Sequence, residues 1–521
     1  MHNLLLNGHR PILRLLALSI LTCGVTMSAM DNRPLQAGPG GADLGNGTYQ
    51  NPVLSGNWPD PSIIRDGADY YLVHSSGDTT PGLPVWHSQD LVNWEPYGHA
   101  LTRHGGDIWA PDIVKRGDLF YIYYCAGGGN YVVTAKNPRG PWSPPIDLKT
   151  GGIDPARVDS LDGSRSWLFL DNGMVADLAP DGLSVLSKRR KIFDPWPIPA
   201  DWPIEGICLE GPKIRVKDGW YYMLVAQGGT AGPPASHMVL AARSKAPEGP
   251  WEWAPKNPIL RTTSPDEPWW SMGHGSLIDS PDGKWWLVFH AYRKDFHTLG
   301  RSTLVLPIAW TADGWPEIPA GTNIAAALPI PKGAKVPGLL EYSDAFPGNK
   351  LGPAWNIPGK NPGENRVNVM GGHLTLTAHG TTLNDTQPIL LSASHTAYSI
   401  EVDVEPQPGV EAGLTLYYGP NVGLGFSLFK QELLIRWQHR IWSHHPVGTN
   451  HLRLRMTNNR HTVGYEYSAD GGKAWTRIPV WHEVSGFNHN TFGGFATLRP
   501  GLFAAGAGTA TFADFRYVPL R

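Results

Sequence analysis

The chain has 521 residues, which is long enough for two or three domains. Its 43 basic and 45 acidic residues leave a net charge of −2, and this balance argues against a nucleic-acid partner because no basic excess exists to displace counterions from phosphates. The chain is 41% hydrophobic, and its 61 glycines, 48 prolines and 22 tryptophans predict many short strands joined by tight turns rather than helical bundles.

The first 29 residues predict an export signal. Arg10 and Arg14 precede an apolar run at 15–21, and small residues follow as far as Ala29, which is the order of segments in a secretory signal. The run is too short for a membrane anchor. We therefore expect a secreted or periplasmic protein with no membrane partner after signal removal, and lipidation at Cys23 is the alternative.

Five short aromatic strands recur between residues 45 and 320. Each follows a turn with Gly or Asp, and successive strands begin about 47 to 64 residues apart, a period typical of four-stranded propeller blades. The sequence therefore predicts a five-bladed β-propeller over residues 45–320, with an irregular β-sandwich as the alternative. The aromatic strands lie at 69–73, 119–123, 166–170, 220–224 and 284–288.

The last third of the chain has a different pattern. Residues 321–340 are rich in Pro, Ala and Gly, which predicts a linker. In residues 341–521 polar and apolar residues alternate, as in 399–404, which predicts a β-sandwich of jelly-roll type and an all-β chain overall. The sandwich would either bind polysaccharide as a separate module or pack on the propeller and shape its pocket, and the short linker favours packing.

Three acids occupy equivalent places in the predicted blades. Asp60, Asp154 and Glu210 each lie among turn-forming residues shortly before an aromatic strand, in blades one, three and four. Equivalent places in a propeller converge on its axis, so we expect the three carboxyl groups to meet there, although Asp-Pro and Glu-Gly also simply open turns. Two carboxyl groups across a funnel suit glycoside hydrolysis, because one protonates the leaving oxygen while the other activates water.

Several motifs around these acids occur in a characteristic order. Together they resemble glycoside hydrolase family 43 over roughly residues 48–320, whereas any single motif would be weak. The motifs are Asn51-Pro52-Val53-Leu54-Ser55-Gly56-Asn57-Trp58-Pro59-Asp60-Pro61-Ser62-Ile63, Ile108-Trp109-Ala110-Pro111, Glu210-Gly211-Pro212, Gly273-His274-Gly275 and Gly300-Arg301-Ser302-Thr303.

The resemblance implies a role for each acid. It implies a propeller that hydrolyses glycosidic bonds with inversion, in which Asp60 matches the general base and Glu210 the general acid. Asp154 matches the acid that raises the pKa of the general acid and holds it in place. Inversion needs room for a water molecule, so the carboxyl groups of Asp60 and Glu210 should lie roughly 6.5–9.5 Å apart.

The resemblance also implies a substrate pocket and a metal ion. Arg301 matches a substrate-binding arginine, with a salt bridge inside the fifth blade as the alternative, and Trp109 matches a pocket wall or a core residue. His274 matches a histidine that contacts a calcium ion otherwise held by water. Asp344 and Asp514 resemble acids that hold calcium in some sandwich modules, although acids at strand ends are usually just solvated.

The sequence therefore predicts an exported enzyme that acts on plant cell-wall oligosaccharides or polysaccharides. Pentose units, β-D-xylosyl or α-L-arabinofuranosyl, are what the resemblance implies as substrates, and the sequence does not separate the two. A related five-bladed enzyme that acts on fructosides with retention and a sugar-binding propeller without catalysis are the alternatives. The motifs around Asp60 and His274 favour the inverting family, and the presence of all three acids favours an enzyme. No organic cofactor is expected.

Overall fold

The computed structural model describes residues 38, 40–359, 366–438 and 440–521, so the predicted export signal lies outside the described residues. Within those ranges nearly every element is a strand, which confirms the all-β prediction. The exceptions in the described part are the helix His489–Phe492 and the 3₁₀ segments Asp171–Gly173 and His297–Leu299. No helix among the described residues has the length and apolar character needed to cross a membrane.

The first two-thirds of the described chain form five antiparallel sheets in succession, which confirms the five-bladed propeller. Blades one, two, three and five have four strands each, and blade four has a fifth, short strand. The strands, blade by blade, are Ser62–Asp66, Asp69–Val73, Gly82–Ser88 and Glu95–Leu101; Ile108–Arg116, Leu119–Ala126, Gly129–Ala135 and Ile146–Asp147; Ala156–Asp159, Ser166–Phe169, Met174–Leu178 and Arg190–Lys191; Glu210–Lys217, Trp220–Gln227, Met238–Ser244, Glu252–Trp253 and Leu260–Arg261; Trp269–Asp279, Trp285–Arg293, Arg301–Trp310 and Pro316–Glu317.

The five aromatic segments form the second strand of each blade. These strands are buried on both faces, for example throughout Tyr221–Gln227, because each sheet packs between its two neighbours. A strand buried on both faces needs a nearly continuous apolar run instead of strict alternation, and this is why the pattern was visible in the sequence.

The propeller is closed by its first and last segments. Leu54, just before blade one, pairs with Thr303 of blade five. Thr48–Tyr49 pairs with Leu328–Pro329, which lies within the predicted linker. The rest of that segment also packs on the propeller, and Lys335 forms an ion pair of 2.9 Å with Asp43. The residues predicted as a linker are therefore docked on the propeller.

The C-terminal region is a sandwich of two antiparallel sheets, as predicted. The larger sheet has seven strands and the smaller has six. In spatial order, the larger sheet consists of Val367–Met370, His373–Thr377, Thr509–Pro519, Ala397–Pro406, Leu452–Asn459, Thr462–Ser468 and Thr476–Glu483, and the smaller of Ile389–Leu390, Arg499–Gly506, Val410–Gly419, Val422–Phe429, Glu432–Trp437 and Arg440–Pro446.

The sandwich packs directly on the propeller. One hydrophobic cluster includes Tyr49 and Trp86 of the propeller together with the core of the sandwich. The two-residue strands Thr79–Thr80 and Ile357–Pro358 pair across the junction. A contact of this kind limits independent movement, so the packed arrangement expected from the short linker is the one observed.

Candidate active site

The three acids meet around one histidine at the centre of the propeller. Asp60 and Asp154 directly precede the first strands of blades one and three, and Glu210 opens the first strand of blade four. His274, in the first strand of blade five, lies among them. Its Nδ1 is 3.7 Å from Oδ1 of Asp60, and its Nε2 is 3.9 Å from Oδ2 of Asp154 and 3.6 Å from Oε1 of Glu210.

The backbone at these positions is strained. Asp60, Asp154 and His274 have φ values of +56°, +57° and +48°, in the left-handed region that residues other than glycine rarely adopt. Such conformations cost of order 1–3 kcal/mol each and tend to cluster at functional sites. The backbone at these turns therefore directs the side chains of Asp60, Asp154 and His274 towards the centre of the propeller, at a cost in conformational free energy.

Asp60 is buried and held in its ionised form. Arg301 donates to its Oδ1 at 2.8 Å and Ser75 donates to its Oδ2 at 2.5 Å, while its backbone N–H donates to Nδ1 of His290 at 2.9 Å. Burial raises the pKa of Asp60, but the charge of Arg301, with contributions from His274 and His290, outweighs it and lowers the pKa well below its ordinary value. The carboxylate therefore stays ionised across the physiological pH range.

The pKa values of Asp154 and Glu210 are shifted in opposite directions. Burial, together with the negative charges of Glu210 and Asp60, raises the pKa of Asp154 to about 7 although His274 opposes this. Burial also raises the pKa of Glu210, but hydrogen bonds to His237 and His274 prevail and lower it to about 2. Burial and the neighbouring carboxylates thus raise the pKa of Asp154, whereas the sequence predicts the raised pKa on Glu210.

Three histidine side chains pack against one another next to the acids. The rings of His237, His274 and His290 contact one another at centroid distances of 5.1 to 5.6 Å, and His237 Nε2 lies 3.3 Å from Oε1 of Glu210. Burial lowers the pKa of His237 and His290. It also opposes charge on His274, but the three carboxylates more than compensate and raise the pKa of that residue.

The sequence marked two of these histidines only weakly. His237 ends the Gly- and Pro-rich segment 226–237, where contact with a sugar and loop packing were both open, and His290 is a polar residue towards the end of an apolar strand with no role indicated. Gly273 shows why His237 fits, because a Cβ at that position would lie 2.0 Å from Cε1 of His237. The Gly273-His274-Gly275 motif therefore makes room for the His237 imidazole, which only the packing of blade five against blade four reveals.

A cavity of about 450 Å³ lies between the propeller and the sandwich. None of the three acids lines it, but Arg301 and Ser75, which both donate to the Asp60 carboxylate, do. Arg301 and Trp109 both line it, and the Trp109 side chain is 37% exposed. Phe495 of the sandwich completes the wall, because its ring lies 6.1 Å from that of Trp109 and the Arg301 guanidinium lies 5.2 Å from its centroid. Pockets of this size hold small ligands, so the cavity can take a sugar residue next to Arg301, which pairs with Asp60.

The described residues suit calcium poorly. The one metal-like cluster among them joins Glu210, His237 and His274, which offers two imidazoles and one carboxylate, whereas calcium takes six to eight oxygen ligands. In the sandwich, Asp344 accepts hydrogen bonds from the backbone N–H of Phe346 and Gly352 and from the Trp355 indole, and Asp514 is paired with Arg453 and Arg516. Contact of His274 with calcium stays a prediction.

Phe495→Ala is expected to raise KM about five- to tenfold for small pentosides and to change kcat less, because it removes an apolar wall without touching an acid. Steady-state kinetics on an aryl pentoside measure the effect. Val518→Ala, at an exposed site elsewhere on the sandwich, is the matched control. An unchanged KM in Phe495→Ala would mean that the sandwich only supports the propeller.

A propeller with three converging acids, a buried arginine and a sugar-sized cavity is the architecture of a glycoside hydrolase. The sequence profile of glycosyl hydrolases family 43 matches residues 49–316, and the profile of the β-xylosidase C-terminal concanavalin A-like domain matches residues 343–521. The chain belongs to glycosyl hydrolase family 43.

Relatives match nearly the whole length of the chain. A non-reducing end α-L-arabinofuranosidase of Bacteroides ovatus is 30% identical over 92% of this chain and 96% of its own, and a putative β-xylosidase of Escherichia coli is 28% identical over 90% and 98%. Among solved structures, the family 43 protein BlXynB of Bacillus licheniformis superimposes with a TM-score of 0.81 at 28% identity, covering 91% of this chain and all of that one. These relatives support an enzyme that removes pentose units.

Proposed function

We propose that the protein is an exported, exo-acting hydrolase that removes single β-D-xylosyl or α-L-arabinofuranosyl units from plant cell-wall oligosaccharides or polysaccharides with inversion. The predicted signal at residues 1–29 supports export to the periplasm or the medium. The two relatives described above are named for different pentosides, so both sugars belong to the proposal. The observation that carries the mechanism is the placement of Asp60 and Glu210 at the two ring nitrogens of His274, with Asp60 buried and paired with Arg301 and Glu210 the more exposed of the two.

Asp60 is the proposed general base. Its carboxylate is ionised because Arg301 and Ser75 donate to it, and this is the state a base needs in order to take a proton from water. Arg301 both contacts Asp60 and lines the cavity, so it can also donate to a sugar hydroxyl. The ion pair of Arg301 joins blade five to Asp60 at the start of blade one instead of lying inside the fifth blade, and it leaves Arg301 in the cavity wall.

Glu210 is the proposed general acid. Its side chain is 18% exposed, against 6% for Asp60 and 4% for Asp154, so it is the acid best able to reach a leaving oxygen. Asp154 accepts a hydrogen bond from the backbone N–H of Gly211 at 2.9 Å, which ties it to the turn that carries Glu210. His274 contacts both carboxyl groups, so a proton held on Asp154 lies within the same cluster as the donor.

Asp154→Asn is expected to move the basic limb of the pH–rate profile to lower pH. Asp154 has a raised pKa of about 7, so the wild-type cluster keeps its proton up to about that pH. The amide cannot hold this proton, and the loss of a negative neighbour lowers the pKa of Glu210. The profile of kcat/KM between pH 4 and 9 measures the shift.

Thermal unfolding serves as the control for Asp154→Asn. A carboxyl whose pKa is raised on folding stays protonated in the folded state at pH values where it already ionises in the unfolded chain, so the penalty to the folded state develops as pH rises from about 4 to about 7. The variant should therefore be at least as heat-stable as the wild type at pH 8. A basic limb that stays in place or moves to higher pH would contradict the role given to Asp154.

Early product analysis tests the proposed function as a whole. Hydrolysis of an aryl β-D-xyloside or an aryl α-L-arabinofuranoside, followed by ¹H NMR before mutarotation, should give a first pentose of inverted anomeric configuration. A first product of retained configuration would mean that Asp60 acts as a nucleophile instead of activating water. No turnover of either substrate, with sugar binding retained, would favour the non-catalytic alternative.

A further inference from the structure

The cavity wall contains a second arginine and a carboxylate besides Arg301, Trp109 and Phe495. Arg499 of the sandwich and Asp78 of blade one both line the cavity, and Nη1 of Arg499 lies 3.7 Å from Oδ1 of Asp78. Neither residue takes part in the steps proposed for the three acids. This ion pair spans the junction of the two domains, so it exists only because the sandwich is packed on the propeller.

The domain junction holds both members of the ion pair in place. The backbone N–H of Gly359 donates to the carbonyl oxygen of Asp78 at 2.7 Å, next to the short strand pair that joins the two domains. Arg499 is buried, and its Nη2 donates to the carbonyl oxygen of Tyr418 at 3.2 Å. Because these contacts already orient the two side chains, little conformational entropy is lost when a ligand binds to them.

The ion pair retains hydrogen-bonding capacity. At 3.7 Å the Arg499 guanidinium and the Asp78 carboxylate are too far apart for a hydrogen bond, and the Asp78 side chain is 51% exposed. A guanidinium only donates and a carboxylate only accepts. Two adjacent hydroxyl groups of a sugar complement such a pair, since one hydroxyl can accept from the arginine while the other donates to the aspartate.

An exposed aromatic ring lies beside the ion pair. Phe492 lines the cavity and is 42% exposed, and its ring centroid lies 5.7 Å from that of Tyr418, whose carbonyl oxygen binds Arg499. The turn that follows has φ values of +71°, +78° and +49° at residues 493–495, and it places the rings of both Phe492 and Phe495 on the cavity wall. The cavity therefore contains two sets of an arginine and a phenylalanine.

The second set lies in a negatively charged part of the wall. Asp107 also lines the cavity, and burial together with the negative charge of Asp78 raises the pKa of Asp107. Two carboxyl groups thus accompany the single guanidinium of Arg499. Arg301, the other arginine of the wall, is already neutralised by Asp60. A neutral ligand is therefore favoured here over one that carries a carboxylate.

We propose that Asp78, Arg499 and Phe492 form the site of the leaving sugar, and that this site selects a neutral sugar over a uronic acid. The proposal rests on the proposed function, in which the pentose that is released binds next to Arg301. The ion pair binds two adjacent hydroxyl groups of the leaving sugar, and the apolar face of the sugar ring stacks on Phe492. A cavity of about 450 Å³ has the volume of sites that hold ligands the size of two linked sugars.

Steady-state kinetics of the full chain on two substrates test this site. Asp78→Asn and Arg499→Lys should each lower kcat/KM about five- to twentyfold on a neutral pentose disaccharide, mainly through KM, because each removes hydrogen bonds to the leaving sugar. On a nitrophenyl pentoside, whose leaving group has no adjacent hydroxyls, the loss should be no more than about twofold. Asp78→Glu should retain part of the activity that Asp78→Asn loses. Asp177→Asn, which removes an arginine partner at 3.1 Å in blade three, should behave like the wild type.

A disaccharide whose leaving sugar is a uronic acid tests the charge selectivity. The wild type should hydrolyse it about tenfold less efficiently than the neutral disaccharide, and Asp78→Asn should reduce this ratio because it removes one negative charge. A role of Asp78 in domain packing alone would lower the melting temperature and leave the ratio unchanged.

Equal losses of Asp78→Asn on the neutral disaccharide and the nitrophenyl pentoside would overturn the leaving-sugar site, and so would an unchanged ratio or a wild type that prefers the uronic acid. Because Asp78 is half exposed, these outcomes can be measured even where Arg499→Lys fails to fold. A wild type that hydrolyses no pentoside at all would instead count against the proposed function.

Discussion

Glu210→Ala is expected to lower kcat/KM on a pentose oligosaccharide by roughly 10²–10⁴-fold, which is the usual contribution of general acid catalysis. A sugar alkoxide needs a proton in order to leave, whereas an activated nitrophenolate leaves without one. The same variant should therefore lose much less activity on an activated aryl pentoside. The ratio of the two losses measures how far Glu210 acts as the proton donor.

Glu205→Ala is the matched control for this experiment. Glu205 lies five residues earlier in the same blade connection, where it accepts a hydrogen bond from the backbone N–H of Ala231 at 2.8 Å. Its loss should show no dependence on the leaving group, because this carboxylate makes none of the contacts to His274 that the three acids make. Equal losses on both substrates in Glu210→Ala would remove Glu210 from the role of acid.

Asp60→Ala is expected to lose roughly 10²–10⁴-fold on both kinds of substrate, because water lacks its base whatever the leaving group. The alanine also leaves the buried Arg301 cation unpaired, which destabilises the fold, so Asp60→Asn is the second variant. Sodium azide, which needs no base, should restore turnover of the aryl pentoside in part. The glycosyl azide should have inverted configuration, because an inverting site forms no covalent intermediate.

Asp279→Asn is the matched control for Asp60. Asp279 forms an ion pair of 2.5 Å with Arg65 at the far end of its strand from His274, so its loss tests the effect of removing an arginine partner away from the cavity. This variant should keep its activity on both substrates. A loss of activity in Asp60→Asn that depends on the leaving group would assign the role of general acid to Asp60 instead of Glu210. A glycosyl azide of retained configuration would contradict the inverting mechanism.

The local pattern of the chain determined much of the architecture. The second strand of a blade is buried on both faces, so it must be an aromatic and apolar run, and five such runs could be counted in the sequence. The three acids were found for a related reason. Each lies at a chain turn at the start of a blade, and turns require particular residues whose identity is visible locally. The alternation of polar and apolar residues after residue 341 likewise indicated strands with one solvated face.

Tertiary structure alone decided the electrostatics of the site. Asp60 is ionised because Arg301, 241 residues away in sequence, donates to it. The pKa of Glu210 is lowered by His237, which precedes the strand Met238–Ser244, and by His274 in blade five. A pKa depends on burial and on charges within a few ångströms, and the sequence contains neither distance. This is why the raised pKa was expected on Glu210 and is found on Asp154.

The contribution of the sandwich to the cavity also depended on the three-dimensional arrangement. Phe495 is one aromatic residue in a glycine-rich turn, and nothing in its local sequence indicates that it lies beside Trp109 and Arg301. The composition of the chain determined that it would fold into strands with abundant aromatic contacts. Which of those aromatic rings faces a sugar and which fills a core was decided only when the two domains packed together, because exposure is a property of the assembled surface.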